Sequence, residues 1–513
     1  MLLLGLGAGC SRHVFDEDTW PVPDVPVAGG TLRVAIQADG RTLDPHRATD
    51  AGSMRLIENF YNTIMRYTPV YGEVEPELAE SVHLSDDQLT YTFTFRTNVY
   101  FHSGRRMTAA DVRYSIERII DAGARAEQFA HVVDMDTPTP DMLRVHLDQP
   151  IAPLLTYLAY PMNAVVDREV VEAHDGELDR VVAGTGPFQL VEWQRDRQLL
   201  MERHENYFRP GRPLLDRVIF RPIPDETART TALRNREIDL MLDVPDKDKD
   251  LLLDTPGLRV VGVPGTFWEY IGLNTDVPPF DDVRVRQAVA WAVDRDMINR
   301  LVKRGRAHTA NGEFLPPAHW AHTGVVFYPE PDLDRARALL REAGYDPAQR
   351  PLMRVGSAFP YQVAAAQIVR QQLLAIGMDI EIRSEESSVF FDALGSGDFA
   401  MTLVGWLGFV DPDEWFYNIF HSGGVWNQQN YANTDVDKAL ALGRRTADPD
   451  ARKDIYRSVQ QTILEEAPVV LLYINAQTTA FNVRVRDYLV HPTATTRALS
   501  DTWLVPPPEP ANN

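Results

Sequence analysis

Residues 89–119 read LTYTFTFRTNVYFHSGRRMTAADVRYSIERI and place a strand directly before a helix. The first half alternates aromatic residues with threonines (YTFTF, 91–95), a spacing that predicts a strand with one buried face. Thr108 and Asp111 then have the spacing of a capping box ahead of an amphipathic run. The stretch therefore predicts a half-buried strand followed at once by a capped helix.

The same alternation continues on both sides of this stretch. A strand is predicted at 30–36, and a glycine turn followed by a strand at 184–194. A long helix is predicted at 280–302, a helix closed by Gly344 at 332–345, and helix-then-strand units at 224–242, 363–383 and 448–474. Pro468 ends the helix of the last unit. The fold class predicted from this order is α/β, with mixed sheets covered by helices.

Length and charge limit the kind of protein this can be. A chain of 513 residues is too long for one hydrophobic core, so two or three domains are expected. Its 44% hydrophobic and 24% charged residues are those of an ordinary globular protein. The net charge of −22, without any cluster of basic residues, argues against a nucleic-acid partner.

The first ten residues, MLLLGLGAGC, end in the single cysteine of the chain, Cys10. A single cysteine excludes an internal disulfide and a thiolate metal cluster. The apolar run is too short to span a membrane and has the character of a secretory signal that ends in small residues. Residues 11–29 are rich in proline and acidic residues, which is typical of a tether.

Sequence signatures of catalysis are missing. The chain has no G-x-S-x-G elbow, no H-E-x-x-H helix, no P-loop and no dinucleotide glycine pattern. The tetrapeptide FHSG occurs at 101–104 and at 420–423, but adjacent histidine and serine residues rarely align as base and nucleophile. The 13 histidines show no metal-ligand spacing. We therefore expect no enzyme activity, no catalytic residue, no metal site and no cofactor.

Several motifs occur in an order that is characteristic of one family. They are LDPHRATD (43–50), the stretch at 89–119, GTGPFQL (184–190), PFDDVRVRQAVAWAVDRDMI (279–298), ARALLREAGY (336–345) and a W…DP element (406–412). Over about residues 30–490 the sequence resembles the bacterial extracellular solute-binding proteins of family 5. These are the peptide, nickel and oligosaccharide receptors of ABC importers, and the N-terminal segment resembles the lipobox of a lipoprotein.

The resemblance implies a two-lobed fold of the periplasmic-binding-protein type, with a hinge and an extra inserted subdomain in lobe I. The implied segments are a lipoprotein signal (1–10), tether (11–29), lobe I (30–63), inserted subdomain (64–183), lobe I (184–268), lobe II (269–484), a return to lobe I (485–505) and a disordered tail (506–513). The implied function is a monomeric substrate-binding lipoprotein that is anchored through Cys10. It would stand in the periplasm or on the outer face of the cytoplasmic membrane and deliver a small solute to ABC permease subunits.

The resemblance also places ligand-binding residues in three segments and one nearby aromatic residue. These are Thr49, Asp50 and Ala51 after the LDP motif, Trp268, Tyr270 and Asn274 on the strand that enters lobe II, Trp406, Phe409 and Asp411 in the W…DP element, and Trp426.

Two departures from the family pattern bear on the solute. Phe409 stands where di- and oligopeptide receptors have the acid that binds a free amine, and FPYQVAAA (359–366) lacks the arginine that clamps a carboxylate in some of them. Burying both termini of a peptide without partners costs several kcal/mol, so a short free peptide is disfavoured. The open alternatives are a peptide bound through its backbone, a blocked or cyclic peptide, and a neutral solute.

An oligosaccharide is one such neutral solute, and Trp268, Trp406, Trp415 and Trp426 would serve as its stacking platforms. Two functions of another class stay open on the same fold. One is a hydrolase that depends on His102 or His421, and the other is a surface signalling or chaperone protein.

Overall fold

The computed structural model describes residue 23 and residues 25–68, 72–122, 125–317, 319–407 and 410–506. The predicted anchor Cys10 and the predicted ligand residue Phe409 both lie outside these residues. Within the described ranges, no helix combines the length and the apolar composition that crossing a membrane requires.

Nineteen strands are present in the described part of the chain. They are β1 (Thr31–Ile36), β2 (Met65–Tyr67), β3 (Val74–Pro76), β4 (Ala79–Leu84), β5 (Thr90–Phe95), β6 (Val132–Thr139), β7 (Met142–Leu147), β8 (Phe188–Gln194), β9 (Gln198–Arg203), β10 (Arg217–Pro222), β11 (Leu240–Met241), β12 (Leu258–Leu273), β13 (His308–Thr309), β14 (Leu352–Gly356), β15 (Glu381–Glu385), β16 (Met401–Leu407), β17 (Val469–Asn482), β18 (Val485–Arg486) and β19 (Trp503–Leu504).

Fourteen α-helices accompany them in the same described ranges. They are α1 (Ala51–Phe60), α2 (Ala109–Ala122), α3 (Leu154–Tyr157), α4 (Arg168–Ala173), α5 (Glu226–Arg234), α6 (Lys249–Leu253), α7 (Val283–Ala292), α8 (Arg295–Val302), α9 (Leu333–Ala343), α10 (Pro360–Leu374), α11 (Ser387–Gly395), α12 (Pro412–Phe420), α13 (Thr434–Arg445) and α14 (Pro449–Glu466). Short 3-10 helices cover Ala126–Phe129, Pro161–Asn163 and Arg497–Ser500.

One large mixed sheet runs through the molecule in the order β15-β14-β16-β12-β17-β11-β1-β10-β9-β8. We call the half around β1 and β8–β11 lobe I, and the half around β14–β16 lobe II. Strand β1 pairs in parallel with both β10 and β11, and β14 pairs in parallel with β15 and β16, whereas β12 pairs antiparallel with β16 and β17. The mixed α/β prediction is confirmed.

The two longest strands, β12 and β17, connect the lobes. They pair from Leu258↔Asn482 to Gly272↔Val469, with a register shift between Pro264 and Trp268. Gly265 lies inside this shift, and a Cβ atom there would stand 2.5 Å from the carbonyl oxygen of Asn475. Only glycine fits such a close backbone approach, so the crossing between the lobes depends on this residue.

Strands β4–β7 form a separate antiparallel sheet in the order β4-β5-β7-β6 and share one hydrophobic core with α2 and α3; we call this unit the inserted subdomain. Tyr91, Phe93 and Phe95 are buried on one face of β5, which confirms the prediction of a half-buried strand. The carboxylate of Asp111 accepts hydrogen bonds from the backbone N–H and the hydroxyl group of Thr108, each at 2.9 Å, so the predicted cap of α2 is present as well.

Lobe II has two cores, one on each face of its sheet. Tyr270 and Val404 point into a core rich in aromatic residues beneath α12, α13 and α14, whereas Ile271 and Leu403 point to the core beneath α7, α9 and α10. This division follows from the alternation of side chains along a strand. Near the C-terminus, Leu504 of β19 packs in the same core as β1.

The prediction of one long helix over 280–302 is wrong, because two helices occupy that range. Val293 has an extended conformation after α7, and Asp294 caps α8 by accepting a hydrogen bond from the N–H of Met297 at 2.7 Å. Aspartate competes for backbone groups in this way, which favours a helix start over a helix interior. The predicted end at Gly344 is confirmed, since this residue is left-handed (φ 69°) after α9. Pro468 likewise follows the end of α14 closely, as predicted.

Candidate functional site

The segment Asp411–Glu414 forms the N-cap and first turn of α12 and holds three buried acidic residues. Asp411 accepts a hydrogen bond from the N–H of Asp413 at 2.9 Å and so caps α12. Both of its oxygens also receive the guanidinium group of Arg452, at 2.6 and 2.7 Å, and both side chains are at most 6% exposed. The contacts of Asp411, a predicted ligand residue, therefore fix α14 against the start of α12.

Asp413 is hydrogen-bonded both to the inserted subdomain and to lobe II, and we call the boundary between these two units the interlobe surface. Tyr157, on α3 of the inserted subdomain, donates its hydroxyl hydrogen to Asp413 Oδ2 at 2.8 Å. Arg444, at the end of α13, donates from Nε to both carboxylate oxygens at 2.8 and 3.0 Å. The carbonyl oxygen of Arg444 in turn accepts the N–H of Ala152 at 2.7 Å. Asp413 and Arg444 thus hold the inserted subdomain against lobe II.

Glu414 differs from its two acidic neighbours. The residue is 5% exposed, and neither carboxylate oxygen has a hydrogen-bond partner among the described residues. Burial raises the pKa of this carboxyl well above its usual value, and the negative charges of Asp411 and Asp413 raise it further. A buried carboxylate without a partner costs free energy in the folded protein.

Tyr67, on β2, lies across the interlobe surface from Glu414. Its side chain packs against the aromatic core of lobe II, and its buried hydroxyl group has no hydrogen-bond partner among the described residues. Burial raises the pKa of Tyr67 well above its usual value, and the nearby Glu414 carboxylate is the next largest cause. Tyr67 of β2 and Glu414 of α12 therefore lie close together, and each has a buried polar group without a partner among the described residues.

Two tryptophans that pack in the aromatic core of lobe II complete this arrangement. The rings of Trp268 and Trp415 meet edge to face with centroids 6.5 Å apart, and each residue is 1% exposed. Neither indole N–H has a hydrogen-bond partner in the described part of the chain. We call Tyr67, Trp268, Glu414 and Trp415 the interlobe cluster, which contains the predicted residue Trp268 and three residues that the sequence reasoning did not select.

The predicted residue Tyr270 lies beside the cluster. Its ring centroid is 5.2 Å from that of Trp268 and the residue is 2% exposed, so it packs against the tryptophan inside the core. Trp406 pairs with Trp268 across β12 and β16 and is half-buried. Its ring lies 5.2 Å from that of Trp426, which is 48% exposed. Trp406 and Trp426 therefore form a second, more open aromatic surface.

The structure does not bring the remaining predicted residues to the interlobe cluster. Asn274 is buried at the opposite end of β12, where its amide donates to the carbonyl oxygens of Gly397 and Phe399. Six residues of extended chain separate it from Trp268, or about 20 Å. Asp50 caps α1 by accepting from the N–H and hydroxyl groups of Ser53, and its neighbours Thr49 and Ala51 are exposed.

A second buried carboxyl lies on the other face of the sheet. Glu269 accepts from Gln362 Nε2 at 3.0 Å through one oxygen, and its second oxygen has no hydrogen-bond partner among the described residues. Burial raises the pKa of Glu269 to about 7. Close by, Lys303 of lobe II and Asp246 of lobe I form an ion pair at 2.7 Å. An acid inside the apolar run FWEYIGL (267–273) is the sequence signal that marks this position.

The two FHSG motifs show no contact between histidine and serine in the described residues. His102 bonds to the carbonyl oxygen of Gly186 at 3.0 Å, while Ser103 donates to Asp167 at 2.6 Å. In the second motif, His421 Nδ1 accepts the N–H of Gly423, and Ser422 bonds to Asp437. Across the described ranges, no three His, Cys, Asp or Glu side chains are grouped so as to hold a metal ion.

Two lobes joined by paired crossing strands, with polar groups gathered between them, define a substrate-binding protein of the kind that serves ABC importers. The sequence model described as Bacterial extracellular solute-binding proteins, family 5 Middle, matches residues 73–428. The chain belongs to this family, as its motifs predicted.

Individual relatives agree with that assignment. The chain is 26% identical over 480 residues to the glutathione-binding protein GsiB of Salmonella choleraesuis (strain SC-B67), which covers 91% of this chain and 93% of GsiB. Two solved structures of similar fold are the periplasmic binding protein DppA of Helicobacter pylori in complex with peptide STSA and AgaA of A. tumefaciens R10 in complex with agropinic acid.

Each of these structures is 26% identical to this chain with a TM-score of 0.82. Both matches cover 93% of this chain, with 98% of DppA and 99% of AgaA. The two-lobed fold predicted from the sequence is confirmed.

Proposed function

We propose that this protein captures a peptide or peptide-like solute between its lobes and delivers it to an ABC permease. The observation that carries this proposal is the interlobe cluster, in which Tyr67 of β2 meets Trp268, Glu414 and Trp415, and all four bury polar atoms that no described residue satisfies. Buried polar groups are nearly always paired, so such a group between two lobes is matched to a solute.

The solute class follows from this cluster and from the relatives. GsiB is named for glutathione, a peptide, and the DppA structure contains a tetrapeptide, so two related receptors take peptide ligands. An unpaired carboxyl, two indole N–H groups and a phenol provide what a peptide backbone and its amine need. These features support a peptide-like solute for the present chain.

A second candidate ligand is an oligosaccharide. The open pair formed by Trp406 and Trp426 is the observation that favours it, because sugar rings stack on exposed aromatic faces. Trp268 and Trp415 were also candidate platforms, but their rings are buried in the lobe II core. Of the four candidate platforms, Trp406 and Trp426 are therefore the two that stay open for stacking.

The same proposal includes an anchor and a division of the chain. Cys10 carries a lipid on the outer side of the cytoplasmic membrane, and residues 11–29 tether a monomeric receptor to it. Residues 30–63 and 184–268 form lobe I with a return at 485–505, residues 64–183 form the inserted subdomain and residues 269–484 form lobe II. The crossing strand β12 runs through the boundary at 268/269, as a hinge requires.

Ligand panels test this function. Thermal unfolding and intrinsic tryptophan fluorescence should be followed while di- to pentapeptides, blocked peptides and oligosaccharides are added. Binding between the lobes predicts a saturable change in the emission of the buried tryptophans and a melting temperature that rises with ligand concentration. A saturable response to oligosaccharides alone would favour the second candidate, and no response to any class would count against a receptor.

A further inference from the structure

We propose that Glu414 is the anchor for a cationic group of the solute, an ammonium or guanidinium, in place of the amine-binding acid that the sequence lacks at Phe409. The inference rests on the proposed function, because it assigns a chemical role within the same interlobe cluster. It identifies the solute as one that carries a positive charge beside hydrogen-bond acceptors.

The first argument is the contrast between Glu414 and its neighbours. Arg452 donates to both carboxylate oxygens of Asp411, and Arg444 donates from Nε to both carboxylate oxygens of Asp413. No described arginine or lysine forms an ion pair with Glu414. The three acidic residues at 411, 413 and 414 are thus accompanied by two arginines, and one further positive charge would make the cluster neutral.

Protonation of Glu414 does not remove the imbalance in hydrogen bonding. A neutral carboxylic acid carries an O–H donor, and no described acceptor lies within hydrogen-bond distance of either oxygen. Among the described residues, Glu414 is therefore unsatisfied in both protonation states. A bound ammonium group satisfies both oxygens and cancels the charge.

The surroundings of Glu414 favour a cation with adjacent carbonyl groups. Trp268 and Trp415 belong to one aromatic core, and their indole N–H groups, which have no partner among the described residues, donate to acceptors on a ligand. Aromatic faces also attract cations. The free N-terminus of a peptide combines an ammonium group with a nearby carbonyl oxygen, whereas a lysine side chain supplies the ammonium group alone. Both sources therefore carry the ammonium group that Glu414 would bind.

Calorimetric titration with three peptides at neutral pH tests the inference and separates the sources. Tri-alanine has a free N-terminus, N-acetyl-tri-alanine has no amine, and N-acetyl-Ala-Lys-Ala has only the side-chain amine. The wild-type protein should bind tri-alanine or the lysine peptide about 30-fold more tightly than N-acetyl-tri-alanine. Which of the two binds tells whether the anchor takes a terminal or a side-chain amine.

The variant Glu414→Gln removes the negative charge with little change in shape. It should lose about 30-fold in affinity for the amine-bearing peptide while its affinity for N-acetyl-tri-alanine stays the same. The matched control is Glu58→Gln, a buried glutamate in lobe I whose carboxylate already accepts from Thr495 and Thr496. That control should bind all three peptides as the wild type does.

Melting curves of Glu414→Gln without ligand show whether the variant folds, and its melting temperature should equal or exceed that of the wild type. Unchanged affinity of Glu414→Gln for the amine-bearing peptide would overturn the inference. If the wild type binds none of the three peptides, mass spectrometry of the solute that co-purifies with it decides. A solute without a cationic group would overturn the anchor and leave the receptor function standing, whereas no solute at all would count against both.

Discussion

Tyr157 of the inserted subdomain donates a 2.8 Å hydrogen bond to Asp413 of lobe II, and the two residues are 256 positions apart in the sequence. This bond and the contact from the N–H of Ala152 to the carbonyl oxygen of Arg444 join the two sides of the interlobe surface directly. Beside them a cavity of about 220 Å³ lies between the subdomain and lobe II, with Tyr157 and Tyr417 in its wall.

The variant Tyr157→Phe should weaken the closed arrangement without unfolding the protein. A hydrogen bond to a charged group contributes about 1.5–3 kcal/mol, and Asp413 keeps its pairing with Arg444 in the variant. We expect a faster dissociation of solute and an affinity lower by about tenfold, measured by stopped-flow fluorescence. Equal dissociation rates for the variant and the wild type would show that this bond does not contribute to closure.

The ion pair between Arg452 and Asp411 is expected to dominate the stability of the α12 and α14 region. Arg452→Met leaves a buried carboxylate unpaired and should lower the free energy of unfolding by about 3–5 kcal/mol. Arg457→Met on the same helix is the matched control, because its pair with Asp454 is exposed and contributes less than about 1 kcal/mol. Chemical denaturation of both variants makes the comparison, and similar losses would contradict a special role for Arg452.

The crossing between the lobes is sensitive to one methyl group. Gly265→Ala places a Cβ atom 2.5 Å from a backbone oxygen, so the strands must shift, at a cost of about 1–3 kcal/mol. Gly262→Ala, three residues earlier on β12, brings its Cβ no closer than 3.4 Å to the hydroxyl oxygen of Thr478 and should be tolerated. Melting temperatures and the ligand-induced fluorescence change report both effects, and equal behaviour of the two variants would contradict the account of the hinge.

Glu269 should make the stability of the protein depend on pH. Its pKa is about 7 in the folded protein and 4.5 as a free side chain, so the folded state holds a proton that the unfolded state releases between these values. The contribution of Glu269 to the free energy of unfolding therefore falls as the pH rises from 4.5 to 7 and is constant above that range.

Replacing this residue by glutamine should remove the dependence. Above pH 7, Glu269→Gln is expected to be more stable than the wild type by on the order of 3 kcal/mol, and near pH 4 the two should be alike. Urea denaturation from pH 4 to pH 8 measures this difference. A difference that does not change with pH would show that Glu269 does not keep its proton in the folded state.

The proposed anchor is tested by Cys10→Ala in the native host. Without the thiol no lipid can be attached, and the protein should move from the membrane fraction to the soluble extracytoplasmic fraction. Ser11→Ala is the matched control and should stay with the membrane. Retention of Cys10→Ala in the membrane fraction would exclude this residue as the anchor.

Local patterns in the sequence predicted the local structure well. The alternation at 91–95 and the cap by Thr108 and Asp111 depend on neighbouring residues only, and both are present as expected. The break at Val293 was missed, because the apolar period continues through it and only the capping side chain of Asp294 interrupts the helix.

The candidate site was harder to predict because its meaning depends on distant partners. The acids at 411, 413 and 414 are equivalent in the sequence, and arginines 31 and 41 positions further along pair with only two of them. That Glu414 has no partner among the described residues is visible only in the folded structure, and no local pattern shows it. Asn274 was predicted as a ligand contact from its position, and the structure shows its amide hydrogen-bonded to the carbonyl oxygens of Gly397 and Phe399.

Mass spectrometry of the natively purified protein, wild type beside Glu414→Gln, tests the central claim most directly. A solute buried between the lobes can stay bound through mild purification, and denaturation then releases it for identification. We predict that the wild type releases a solute with an amine or guanidinium group and that the variant carries little of it. A neutral or anionic solute present equally in both proteins would contradict the account.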